Sequence, residues 1–197
     1  MKRPNYLIVG LGNPGREYEK TRHNAGFLLC EYLADHLHFP PFREESRFKG
    51  DYSEGDYSGQ SLTLFRPMTY MNRSGEALRP LVDFFKLDLA SVLVCHDDLD
   101  LPLGKIRFQL NGGTGGHRGV ESIVTHMGTK DFPRLRIGIG RPTSSKDVKR
   151  YVLERFSPVE LDHFKKVLQL AKDGVLCFVE EGIHQAMNRF NGRVVEP

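Results

Sequence analysis

Along the chain, short apolar runs alternate with stretches in which apolar residues recur every three or four positions. Residues 6–9 form a compact run closed by Gly10, which predicts a buried strand, and residues 11–21 carry the Gly, Pro and Asn of a loop. From Asn24, a residue suited to capping, Phe27, Leu28, Tyr32, Leu33 and Leu37 fall at helical spacing up to Pro40. Residues 48–52 and 61–65 flank a turn-rich segment at 53–59 and predict a hairpin ended by Pro67. Ser74 is placed to cap a helix reaching about Phe85, and residues 92–95 predict a further buried strand, followed at once by an acidic turn over 96–100. Residues 105–110 alternate as a half-exposed strand, glycine-rich residues 111–119 lead into a helix over about 120–127, and residues 134–140 supply another strand. Ser157-Pro158-Val159-Glu160 is a capping box opening a long helix toward Asn188, with Leu161, Phe164, Leu168, Ala171 and Val175 on one stripe. This alternation predicts a three-layer α/β single domain over residues 1–197, with a twisted, mixed, mostly parallel central sheet and helices on both faces. Ligands of such sheets bind beyond the carboxyl ends of the strands.

Composition agrees with one ordinary globular domain: 39% of the residues are hydrophobic and 27% charged. The first apolar run, Leu7-Ile8-Val9, soon meets Asn13 and Pro14, which leaves no room for a signal peptide or a membrane span and predicts a cytoplasmic protein. Cys30, Cys95 and Cys177 are odd in number, far apart and form no CxxC pair, which argues against a disulfide framework or a cysteine zinc site. The net charge of +3 hides an asymmetry. Residues 1–100 hold 12 Lys and Arg against 15 Asp and Glu, whereas residues 101–197 hold 16 against 10. Eleven cations lie between 105 and 155: Lys105, Arg107, Arg118, Lys130, Arg134, Arg136, Arg141, Lys146, Lys149, Arg150 and Arg155. That segment is a candidate footprint for a polyanion.

Gly10-Leu11-Gly12-Asn13-Pro14-Gly15 matches GxGxxG after a strand, but the helix is delayed to Asn24, and Glu31 and Asp35 fall within that helix rather than at the end of a second strand. A dinucleotide site needs the opposite on both counts. His23 sits on the same loop, where an imidazole at the sheet's edge can serve as a base near neutral pH. Asp97, after a strand, can accept from one ring nitrogen and leave the other free to take a proton from water. No GxSxG-type nucleophile elbow accompanies them, so a His–Asp pair would activate water directly. Tyr70, Met71 and Asn72 leave the hairpin near the same sheet edge, and the Asn72 amide can donate to a developing oxyanion. The glycines at 112–119, with His117 and Arg118, open a helix start toward phosphates or allow a loop to move.

Taken together, Gly10-Leu11-Gly12-Asn13-Pro14-Gly15, Tyr18, Thr21-Arg22-His23-Asn24, Pro67-Met68-Thr69-Tyr70-Met71-Asn72-Arg73-Ser74-Gly75, His96-Asp97-Asp98-Leu99-Asp100 and the glycine cluster resemble the bacterial-type peptidyl-tRNA hydrolase family. The resemblance spans nearly the whole chain and implies a monomeric α/β enzyme without metal or cofactor, acting on peptidyl-tRNA. In it His23 is the base toward water, Asp97 orients His23, and Asn13 and Asn72 hold the peptidyl carbonyl and the attacking water. It further implies that Tyr18 and Met71 line the peptide groove, that Tyr70, His117 and Arg118 belong to the substrate site, and that the basic face with Lys105, Arg107 and Arg136 takes the acceptor stem. Two residues depart from the pattern: Arg118 stands where the family commonly has Asn, and Gln109 where a lysine often clamps the tRNA 5′-phosphate with the residue matching Arg136. Two rival readings are an RNA-binding protein without activity on the same fold and a metal hydrolase using His23, His96, His117 and Asp97. The intact His23, Asp97, Asn13 and Asn72 speak against the first, and the lack of HExxH-like spacing speaks against the second.

Overall fold

The computed structural model describes residues 1–142 and 148–197. Its strands are β1 (Tyr6–Gly10), β2 (Arg43–Glu45), β3 (Gly50–Tyr57), β4 (Gln60–Pro67), β5 (Val92–Asp98), β6 (Ile106–Gln109) and β7 (Arg134–Gly138). Its helices are α1 (Ala25–His36), α2 (Ser74–Phe85), α3 (Arg118–Met127), α4 (Val148–Leu153), α5 (Pro158–Glu181) and α6 (Ile183–Phe190). The strands form one sheet in the order β2-β3-β4-β1-β5-β7-β6. The inner four run parallel, while β2, β3 and β6 pair antiparallel at the edges.

Alternation along the inner strands feeds two cores. Ile8, Leu62, Leu64, Leu93, Cys95, Leu135 and Ile137 face α1, α5 and α6, while Leu7, Val9, Phe65, Val92 and Val94 face α2 and α3. A parallel inner strand buried on both faces has no polar side to show, which is why β1 and β5 read as continuous apolar runs. All three cysteines are buried and unpaired, and burial pushes the Cys30 thiol up to about 12. No helix among the described residues is long and apolar enough to cross a membrane.

Several elements differ from their sequence patterns, each for a physical reason. The acidic turn expected at 96–100 is strand as far as Asp98, because β7 pairs with β5 through Asp97↔Ile137 and Asp98↔Gly138. The hairpin strands reach into the segment read as turn, and only Ser58 and Gly59 turn, with φ of 50° and 76°. Two positive φ values suit the right-handed twist of a two-residue hairpin. Neither Asn24 nor Ser74 caps its helix with its side chain. Ser74 is instead the first residue of α2 and donates to the Met71 carbonyl at 2.8 Å. Helix α3 starts two residues early, with His117 as its N-cap. The Ser157 capping box is present, but the long helix ends at Gly182, whose φ of 85° starts α6 in a new direction.

Helix α1 comes unusually close to the sheet. A Cβ on Gly26 would overlap the Leu11 nitrogen and the Cys95 carbonyl oxygen, both backbone atoms that cannot swing aside. Gly26→Ala therefore costs about 3 kcal/mol or more, at the upper end of overpacking effects. Urea denaturation will show it as a lowered midpoint, whereas Gly192→Ala, with open space around its Cβ, will stay near wild type.

Candidate active site

The carboxyl ends of β1, β4 and β5 meet at a cleft of about 580 Å³ lined by Asn13, His23, Tyr70, Met71, Asn72, His96, Asp97, His117 and Arg118, together with Val148, Lys149, Val152 and Leu153 of α4. The loop after β1 contributes two 3-10 turns, Arg16–Tyr18 and Arg22–Asn24, before α1 begins. This delay withdraws the helix N-terminus from the glycines, as a dinucleotide site would not allow.

His23 comes from the second turn, and its Nδ1 lies 2.9 and 3.0 Å from the two carboxylate oxygens of Asp97. Asp97 is 2% exposed. Burial alone would raise its pKa, but His23 and His117 together hold it below the usual carboxylate range. An ionised carboxylate accepts, so Nδ1–H of His23 donates to it, and in the neutral ring Nε2 is the nitrogen without a proton. His117 Nε2 lies 2.9 Å from the same Asp97 oxygen. His96 donates from Nδ1 to the Asp97 carbonyl at 2.8 Å, and burial pushes its pKa down to about 3.

The turn that carries His23 is held from behind. The Arg22 side chain is buried, its Nη2 lies 2.8 and 3.0 Å from the Glu160 carboxylate oxygens, and its guanidinium stacks 4.2 Å from the Tyr151 ring centre. Its Nη1 faces the carbonyls of Tyr151, Glu154 and Arg155 where α4 ends. Asn24 acts on the other side. Its amide accepts from the Asn13 N–H at 2.9 Å and donates to the Asn13 carbonyl at 3.0 Å. With Asn13 Oδ1 accepting from the Met71 N–H at 2.8 Å, the Asn13 amide group remains a donor. The sequence patterns did not single out Arg22 or Asn24 for these roles, since their partners lie far along the chain or on another turn.

The other expected residues are placed as follows. Met71 is buried and Tyr70 is 56% exposed. Asn72 is exposed and lines the cleft. Tyr18 is half-buried and lines neither this cleft nor the neighbouring cavity that shares Asn13. Arg118 is exposed in the first turn of α3. A cation there opposes the helix dipole, so α3 gains nothing from it.

The basic footprint is smaller than its sequence count. Arg134 is buried and donates to the carbonyls of Gly113 and Lys130. Arg136 pairs with Asp98 and donates to Gln109 at 3.1 Å. Arg141 pairs with Asp100 and Arg150 with Glu154, Arg155 donates to the Arg16 carbonyl, and Lys146 lies outside the described residues. Lys105, Arg107, Arg118, Lys130 and Lys149 remain exposed without an acidic partner among the described residues. Register places Arg107 opposite Arg136, and Arg136 opposite His96. Paired residues share a sheet face, so this edge continues the face on which His96 sits.

One group of potential metal donors occurs among the described residues: His23, Asp97 and His117 offer ligand atoms within 4.8 Å of one another.

Comparison with known proteins identifies the family. The family model described as peptidyl-tRNA hydrolase matches residues 7–197. A peptidyl-tRNA hydrolase of Synechococcus sp. (strain JA-2-3B'a(2-13)) is 50% identical over 185 residues, covering 94% of this chain and 82% of the relative. One from Synechocystis sp. is 48% identical over 191 residues, covering 97% and 98%. The crystal structure of peptidyl-tRNA hydrolase from Acinetobacter baumannii superposes with a TM-score of 0.91 at 40% identity, covering all of both chains. The chain is an enzyme and belongs to the peptidyl-tRNA hydrolase family.

Proposed function

We propose that this chain, as a single-domain cytoplasmic monomer without metal or cofactor, hydrolyses the ester between a peptide, or an N-blocked amino acid, and the 3′ ribose of tRNA. The observation that carries the mechanism is the His23–Asp97 contact at 2.9 Å in the cleft. Asp97 accepts a hydrogen bond from the Nδ1–H of His23, which leaves the lone pair of Nε2 to remove a proton from water as it attacks the ester carbonyl. Asp97 stays ionised throughout and stabilises the imidazolium that forms. That proton then passes to the departing ribose oxygen. The Asn13 amide, fixed by Met71 and Asn24, and the exposed Asn72 amide donate to the developing oxyanion or hold the water. Met71, Tyr70 and the α4 residues Val152 and Leu153 present apolar surface to the peptide without selecting particular side chains. Tyr18, outside the cleft, meets substrate only at its margin.

The cations serve the tRNA. Lys105, just ahead of the edge strand β6, and Arg107 on it, together with Arg136, lie along the acceptor-stem path, and Arg118 and Lys149 at the cleft meet the 3′ end. Gln109 supplies no charge of its own and accepts from Arg136, so Arg107 and Arg118 take over the missing lysine's part.

Release of N-acetyl-amino acid from N-acetyl-aminoacyl-tRNA tests the chemistry. His23→Ala and Asp97→Asn each lower kcat about 10²-fold or more, and wild-type turnover is unchanged after dialysis against EDTA. Loss of turnover in EDTA would transfer the chemistry to a metal held by His23, Asp97 and His117.

Binding has a separate readout. Arg107→Ala and Arg118→Ala raise KM and each reduce the slope of log affinity against log salt by about one phosphate contact, roughly 0.7 to 0.9 units. An unchanged slope in both variants would remove these two residues from the tRNA interface.

A further inference from the structure

We infer that His117 is a positioning residue for Asp97, held in one neutral tautomer by the start of helix α3. The inference rests on the reading of His23 as base. His117 Nδ1 faces the backbone N–H groups of Gly119 and Val120 at 3.2 and 3.3 Å. Those groups can only donate, so Nδ1 must be the unprotonated, accepting nitrogen. The ring proton is therefore on Nε2, which points at Asp97 Oδ1 from 2.9 Å. Both ring nitrogens are thereby committed to the protein, and His117 keeps no free polar atom for substrate, although its ring lines the cleft.

The consequence concerns the carboxylate. Asp97 Oδ1 accepts from both His23 and His117, so the carboxylate cannot rotate without breaking one bond, and its charge is shared between two donors. That sharing limits how strongly Asp97 favours the protonated ring of His23, which has to be neutral to act. A proton on Nδ1 as well would set an N–H against those of Gly119 and Val120 and break the cap. The rings of His23 and His96 face His117 at centroid distances of 5.0 and 4.7 Å. Besides Asp97, the charged groups lining the cleft are Asp98, Asp100, Arg118 and Lys149.

His117→Asn separates the roles, because asparagine is a good N-cap but its shorter side chain does not reach Asp97. The expected result is a kcat lowered about 10- to 100-fold, as for loss of an orienting partner, with KM within about twofold of wild type. The acid limb of the kcat–pH profile moves to higher pH. In the wild-type protein, ¹⁵N NMR of the ring shows the Nε2–H tautomer. A raised KM with an unmoved acid limb would make His117 a substrate ligand and overturn the inference, as would an Nδ1–H tautomer. Should the variant fail to fold, the wild-type tautomer decides alone. His23→Ala keeps the two readings apart. If it is inactive while the His117→Asn limb stays in place, only the positioning role falls; if it retains activity, the base itself falls.

Discussion

A carboxylate almost sealed from water at the end of β5 organises this site. Burying an ionised carboxyl is costly unless hydrogen-bond donors replace its lost water. Asp97 finds them on two elements that belong to opposite layers: the turn before α1 and the first residue ahead of α3. The same charge that holds the His23 ring thus ties the two helix layers together across the carboxyl edge of the sheet. Withdrawing either histidine leaves an undercompensated charge in the interior, an effect that reaches about 3–5 kcal/mol when a buried pair is broken outright. Stability and the proposed chemistry draw on one set of bonds here.

The close approach of α1 to the sheet serves the same end. Gly26 brings the helix onto the backbone of Leu11 and Cys95, which sets the turn carrying His23 within reach of Asp97. From the far side Arg22 holds that turn against α4 and α5, and Asn24 fixes Asn13. The side chains proposed for the chemistry are therefore positioned by neighbours that do not line the cleft.

Much of this was legible in the sequence. The apolar runs of β1 and β5, the stripe of α5 and the Ser157 capping box are local signals, and the order of short motifs along the chain pointed to His23, Asp97, Asn13 and Asn72 as a set. What escaped depends on non-local pairing. Asp97 and Asp98 look like an acidic turn until β7 is laid beside them. Residues 53–57 carry Ser, Glu, Gly and Asp, yet pairing with β4 holds them extended. The helix-start residues Asn24 and Ser74 have typical capping side chains whose bonds go elsewhere. Charge counting overstated the basic surface because it cannot see that Arg134 is buried or that Arg136, Arg141 and Arg150 are already paired.

The clamp on Arg22 has a consequence in time as well as in space. Arg22 and Glu160 are 138 residues apart, so during synthesis the turn bearing His23 is made early but gains its anchor only after Glu160 has been added and has left the ribosome. Throughout that interval the growing chain is itself a peptide esterified to tRNA, the very kind of bond its family is named for cutting. The order in which the chain emerges thereby leaves that turn without its anchor for as long as the segment carrying Glu160 has yet to appear.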